Sequence, residues 1–145
     1  MSSPKAGIPF KSESLMKCLD TDLLVAILRG KHEAQLTLEK LDNEGRAATT
    51  SVNAYELYFG ANKSERKKDN INETTKLLER LIVFPLNLSL SQKAAEISAE
   101  LAAEGETIDF RDAMIGAISL ENDLTLVTRN LAHFEKIKGL RLERW

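Results

Sequence analysis

From Met16 onward, short apolar runs alternate with stretches of helical spacing, the pattern of parallel strands joined by crossover helices. Met16 to Leu19 reads as a first strand, and Asp22 to Arg29 as a helix with Leu23, Leu24, Ile27 and Leu28 inward and Gly30 closing it. A second helix over residues 32 to 43 ends near Gly45, and Ala47 to Thr50 reads as a small second strand. Ser51 or Asn53 can cap the next helix, which contains Glu56 and runs through Phe59 and Gly60. Asn62 to Asn70 is almost wholly polar and carries Arg66, Lys67 and Lys68, so it reads as an exposed turn. Helical spacing resumes at Ile71, Thr74, Leu77, Leu78 and Leu81. Leu81 to Leu88 is a strand candidate in which Pro85, lacking an N–H for the ladder, implies an edge or a break. Ser89 or Ser91 can start a helix bearing Ala94, Ala95, Ile97 and Leu101, with Gly105 as its stop. Asp109 to Glu121 is a further helix and Leu124 to Thr128 the strongest late strand. A turn through Asn130, a short helix near Phe134 and an edge strand from Leu140 follow. The expected fold class is α/β, a three-layer α/β/α domain with a four- to five-stranded parallel sheet.

Composition narrows the function. A chain of 145 residues, 43% apolar and 29% charged, fits one globular domain with its own core. Residues 16–145 are assigned to it. Residues 1–15, with two prolines, four serines and no apolar block, read as a flexible extension or expression remnant rather than a signal peptide, with Met16 a candidate native start. With 20 Lys+Arg against 22 Asp+Glu, net −2, bulk cationic attraction to nucleic acid or an acidic membrane is absent, so any such contact must be local. Cys18 is the sole cysteine, which excludes an internal disulfide and a multi-cysteine zinc site, and points to a reducing cytoplasm. No apolar run approaches the ~18 residues of a membrane span.

Open parallel sheets bind ligands beyond the carboxyl ends of their strands, and the residues expected there are mostly acidic. Asp20 follows the first strand, Glu56 the second by about one helical turn, and Thr128 with Asn130 the late strand. Asp109 and Asp112, three apart at a helix start, share one face. Two carboxylates about 4 Å apart repel by roughly 4 kcal/mol at an effective dielectric of 20. The groups therefore stay apart, keep protons, or are neutralised by a divalent cation. An all-oxygen donor set favours Mg²⁺ or Mn²⁺. The chemistry such a site best supports is phosphodiester hydrolysis, in which an ion acidifies water, orients the phosphate and offsets charge on the leaving 3′ oxygen. Weighed as ordinary residues, Asp109 is a helix cap and Asp22 a first-turn acid. On the same footing His32 and His133 are surface or packing residues, Tyr55, Tyr58 and Phe59 core or dimer contacts, and Trp145 either packs or frays.

Four segments, KCLDTDLLVAIL, SVNAYELYFGA, IDFRDAMIGAISL and LTLVTRNLAHFEKIKGLRL, together resemble PIN-domain ribonucleases, particularly the VapC-like toxins of toxin–antitoxin pairs. The resemblance implies that Asp20, Glu56 and Asp112 are catalytic, that with Asn130 they hold Mg²⁺ or Mn²⁺, and that Thr128 supports Asn130 by hydrogen bonding. It further implies an RNA substrate, a cognate antitoxin that clasps the helical hairpin over residues 53 to 82 and blocks the site, and a homodimer. Asn130 stands where many relatives have Asp, so one charge is missing and one-metal catalysis is expected. Asp22 and Asp109 are second-line acids that restore some of it.

Two rival readings remain. Asp20, Thr21 and Asp22 after an apolar strand also resemble the haloacid dehalogenase phosphatases, but those need an acidic pair after a late strand, where this chain has Thr128, Arg129 and Asn130. Alternatively the chain is a PIN-like binding module whose metal site has decayed, with Asn130 the first sign and the intact Asp20, Glu56 and Asp112 the argument against.

Overall fold

The structure, a computed structural model, describes residues 15–145. The expectation for residues 1–15 therefore falls outside the described residues, Leu15 excepted. Five short strands, β1 (Lys17–Leu19), β2 (Ala48–Thr50), β3 (Ile82–Phe84), β4 (Thr125–Val127) and β5 (Arg141–Glu143), form one sheet. The strand order is β3-β2-β1-β4-β5 and every pairing is parallel. Seven helices cross between them: α1 (Thr21–Leu28), α2 (His32–Asn43), α3 (Ser51–Lys63), α4 (Lys67–Glu79), α5 (Leu88–Ala103), α6 (Phe110–Glu121) and α7 (Leu131–Phe134).

The period-two alternation of a strand divides the interior in two. On the central strand β1, Cys18 points into a core built with Ala48, Leu90, Ala94, Ile115, Ile118, Leu126 and Phe134, between the sheet and α5–α6. Leu19 points the other way, into a core with Leu23, Leu24, Leu38, Leu57, Leu78 and Val127 under α1–α4. Both faces of the middle strands are thus covered, as parallel sheets require, and the three-layer expectation holds. Leu23 and Leu24 are fully buried and each contributes about 1.5–3 kcal/mol of burial. Burial pushes the Cys18 thiol up to about 12, so the lone cysteine stays a protonated core residue.

Four local expectations need correction. The exposed turn over Asn62 to Asn70 is mostly helix, because α3 continues to Lys63 and α4 already begins at Lys67. Only Thr74, Leu77 and Leu78 of α4 are buried, so its first turn touches water all round and leaves no apolar signal. The cap of α3 is neither Ser51 nor Asn53 but Thr50, the last residue of β2, whose hydroxyl accepts from the N–H groups of Val52 and Asn53. Asn87, not Ser89 or Ser91, caps α5, accepting from the Leu90 N–H at 2.8 Å. The strand candidate Leu81 to Leu88 shrinks to Ile82–Phe84, an edge strand that ends before Pro85. No helix among the described residues is long and apolar enough to cross a membrane.

Candidate active site

The parallel sheet carries the ends of β1, β2 and β4 to one edge of the domain. Asp20 leaves β1 with extended backbone at φ −75° and ψ 164°, and its N–H continues the ladder to Val127 O at 3.1 Å. The side chain does not cap α1. Its Oδ1 instead accepts from the Asn53 amide at 3.0 Å and its Oδ2 from the Thr128 hydroxyl at 2.7 Å. At 4% exposure, desolvation pushes its pKa up to about 6, while the bonds from Thr128, Thr21 and Asn53 pull the other way. At neutral pH the pocket therefore holds a buried anion with two side-chain donors.

Asn53 is the residue the sequence hid. It is fully buried, and its amide is oriented by the Asp20 carboxylate, which can only accept, while its Oδ1 accepts from the Thr50 hydroxyl at 2.7 Å. Its NH₂ is thereby aimed at Asp20 and at the Thr21 hydroxyl, the latter at 2.9 Å. Thr21 in turn donates to Glu56 Oε1 at 2.6 Å. Asn53 and Glu56, three apart on α3, share a face, so Asp20 and Glu56 are tied into one relay through Asn53 and Thr21. No local signal marks Asn53, because a polar residue early in a helix reads simply as a cap.

Asp112 lies in the first turn of α6 with its side chain 21% exposed, and its carboxylate takes no hydrogen bond among the described residues. Its pKa is raised, first by desolvation and then by the neighbouring charge of Asp109, with Glu56 adding to it. His133 on α7 is a surface residue, as expected, with its side chain 62% exposed, and its Nδ1 stands 3.5 Å from Asp112 Oδ2. Asp109 caps α6 through the Arg111 N–H at 2.8 Å and also binds the Arg111 guanidinium, Oδ1 to Nε at 3.0 Å and Oδ2 to Nη2 at 3.1 Å. Arg111 holds the Asp109 carboxyl below the usual carboxylate range. The third edge of the guanidinium, Nη1, stands 3.6 Å from Glu56 Oε2.

Asp22 is not a spare charge. It accepts from the Arg129 N–H at 2.8 Å, the Thr128 hydroxyl at 3.3 Å and the Trp145 indole at 3.2 Å. Trp145 packs rather than frays, with Arg129 3.6 Å above its ring and bonded to its carbonyl at 2.8 Å. That clamp fixes the turn after β4. Within it Thr128 accepts from the Asn130 N–H at 3.0 Å, and Asn130 itself is exposed.

Asp20, Glu56, Asp112 and Asn130 thus line one end of the sheet. Among the described residues, no three His, Cys, Asp or Glu side chains stand close enough to hold one ion between them. The repulsion weighed from the sequence is relieved by spacing, by Thr21 and Arg111, and by raised proton affinity. The donors are nonetheless all oxygens, and a buried carboxylate among them gains from a nearby cation, which fits a hard ion that keeps several waters.

The model of the PIN domain family matches residues 17–140, and the chain belongs to that family. Within it, the chain is similar to the VapC ribonucleases. It is 31% identical over 127 residues to Ribonuclease VapC2 of Haemophilus influenzae, covering 88% of this chain and 96% of that protein. It is 32% identical over 127 residues, with the same coverage, to the tRNA(fMet)-specific endonuclease VapC of Salmonella typhimurium. Among solved structures, DNA-bound VapBC from Salmonella typhimurium matches with a TM-score of 0.81 at 30% identity, over 90% of this chain and 98% of that one. VapBC2 from Rickettsia felis, bound to a DNA fragment from its promoter, matches with a TM-score of 0.82 at 27% identity, over 90% and 99%.

Proposed function

We propose that this protein is a metal-dependent endoribonuclease acting in the cytoplasm as the toxin of a toxin–antitoxin pair. The observation that carries the reading is the Asp20 carboxylate, buried at the end of the central strand and tied through Asn53 and Thr21 to Glu56. Burying an anion costs stability unless something uses it, and a cation among these oxygens would use it. The names of the VapC relatives supply the substrate class and the partner.

Asp20, Glu56 and Asp112, with Asn130, would hold Mg²⁺ or Mn²⁺ directly or through water. Such an ion supplies acidified water and neutralises charge at the phosphate. Asp112 is the better general base through an oxygen the ion leaves unengaged, since its proton affinity is raised and its carboxylate accepts no hydrogen bond among the described residues, whereas Thr21 already donates to Glu56 Oε1. In-line attack by water leaves 5′-phosphate and 3′-hydroxyl ends. A groove of about 280 Å³ running from Glu56 between α1 and the α3–α4 hairpin offers a place for an antitoxin segment. The exposed apolar side chains of Tyr55, Phe59 and Phe110 offer a face for a second copy.

The lack of a ready three-residue ion cluster favours the inert binding module as the second reading. Calorimetry with Mn²⁺ separates the two, because no binding, or equal binding by Asp20→Asn, would support the inert module. The phosphatase reading loses its second acid, since Asp22 is already engaged by Arg129, Thr128 and Trp145. The deciding experiment is induced expression of wild type beside Asp112→Asn. Growth arrest and RNA cleavage confined to wild type are expected. Equal effects from both, or cyclic-phosphate products, would refute the mechanism.

A further inference from the structure

Arg111 is a cation inside an acidic site, and its own geometry says what it is for. Asp109 takes the Nε and Nη2 edge in two near-parallel bonds of 3.0 and 3.1 Å, the arrangement that fixes a guanidinium plane. The remaining edge, Nη1, points towards Glu56 at 3.6 Å, too far for a hydrogen bond. One donor edge is therefore held in place and left open, at a side chain 43% exposed to solvent.

The guanidinium that follows β4, Arg129, is already engaged. Arg129 lies on the Trp145 ring and bonds the Trp145 carbonyl at 2.8 Å and Glu33 at 3.0 Å. Arg111 lines a hollow of about 290 Å³ with Tyr55, Leu86, Phe110 and Met114, and Glu56, 3.6 Å from its Nη1, lines the separate groove along α3 and α4. A nucleic-acid strand reaching from one concavity to the other passes this pair. Its backbone must approach carboxylates in a protein of net charge −2, so a local positive contact is needed where none comes from bulk charge.

We propose that Arg111, oriented by Asp109, grips a phosphate of the RNA as it enters the site, an inference that rests on the nuclease reading above. Arg111 is a substrate-positioning residue in this assignment. The test is filter binding of a short mixed-sequence oligoribonucleotide, in EDTA to hold cleavage off, across a range of salt. Arg111→Ala is expected to weaken binding about tenfold, the effect of one charge-assisted hydrogen bond from the open edge. The slope of log K against log salt should become shallower by about 0.7, one single-strand phosphate contact. Arg111→Lys should restore the slope but only part of the affinity, since an ammonium keeps the charge without the fork. Both variants keep Asp109 Oδ1 on the residue 111 N–H, so the α6 cap survives, and circular dichroism checks the fold.

Wild-type RNA cutting combined with unchanged affinity and slope in Arg111→Ala would overturn the proposal. So would tightened Mn²⁺ binding in Arg111→Ala with RNA binding unchanged, which would make the guanidinium a stand-in for the cation. A wild type that neither cuts RNA nor binds Mn²⁺ would instead overturn the nuclease reading, and this inference with it.

Discussion

Replacing Asp20 with asparagine tests the central electrostatic claim without any substrate. The folded carboxyl titrates near about 6 against an ordinary 3.8, chiefly because burial disfavours its charge. Between those values the folded chain binds more protons than the unfolded one, so stability falls as pH rises through the window and levels off above it. Roughly two units at 1.36 kcal/mol each make the penalty about 3 kcal/mol at neutral pH. Asp20→Asn removes the charge but sets an NH₂ against either the Thr128 hydroxyl or the Asn53 amide, a loss of about 1 kcal/mol. The variant should be less stable than wild type by about 1 kcal/mol near pH 4. Near pH 7.5 it should be more stable by about 1–2 kcal/mol. Urea denaturation in EDTA at several pH values reads the difference, and thermal melting should show the crossing as a few degrees on each side. Subtracting the two curves cancels the other titrating groups. A difference that stays flat across the window would show that Asp20 holds no penalised charge.

Asn53→Ala should cost about 2–4 kcal/mol in thermal melting and lower RNA cleavage, because Asp20, Thr21 and Thr50 lose a shared buried partner; a cost below about 1 kcal/mol would contradict the relay. Trp145→Phe should cost about 1 kcal/mol by losing the indole donor to Asp22 while keeping the stack on Arg129, and Trp145→Ala more; equal costs would place the whole effect in the indole hydrogen bond and refute a contribution from the stack. Asp123 holds φ 54° just beyond α6, so Asp123→Gly should raise stability by about 0.5–1 kcal/mol in urea titration, and a decrease would mean the aspartate carries an unseen contact.

The strands β1 and β4 were legible because the apolar pairs Cys18–Leu19 and Leu126–Val127 each precede a polar residue that the sheet carries to one edge. Asp20 and Thr128 could be nominated on that ground alone. Glu56 was a weaker nomination, since it follows the second strand only by about one helical turn and a glutamate in a helix is ordinarily a solvated residue; the likeness of its segment to a family strengthened it. Asn53, Thr21 and Arg111 escaped for another reason. Their roles are contacts with residues 33, 35 and 55 positions away, and no local pattern encodes them. Thr50 was missed as a cap because it is also the end of a strand, and one residue serving two elements blurs the boundary between them. The hairpin's second helix was shortened because its opening turn faces only water and has no apolar stripe to announce it.

The clamp at the end of the chain has a practical consequence. Trp145 is the only tryptophan, and its indole nitrogen touches the carboxylate that shares the Thr128 hydroxyl with Asp20. Its ultraviolet emission therefore arises from a single indole three hydrogen bonds from the buried anion. An unlabelled sample in a cuvette carries its own optical gauge of events at that anion.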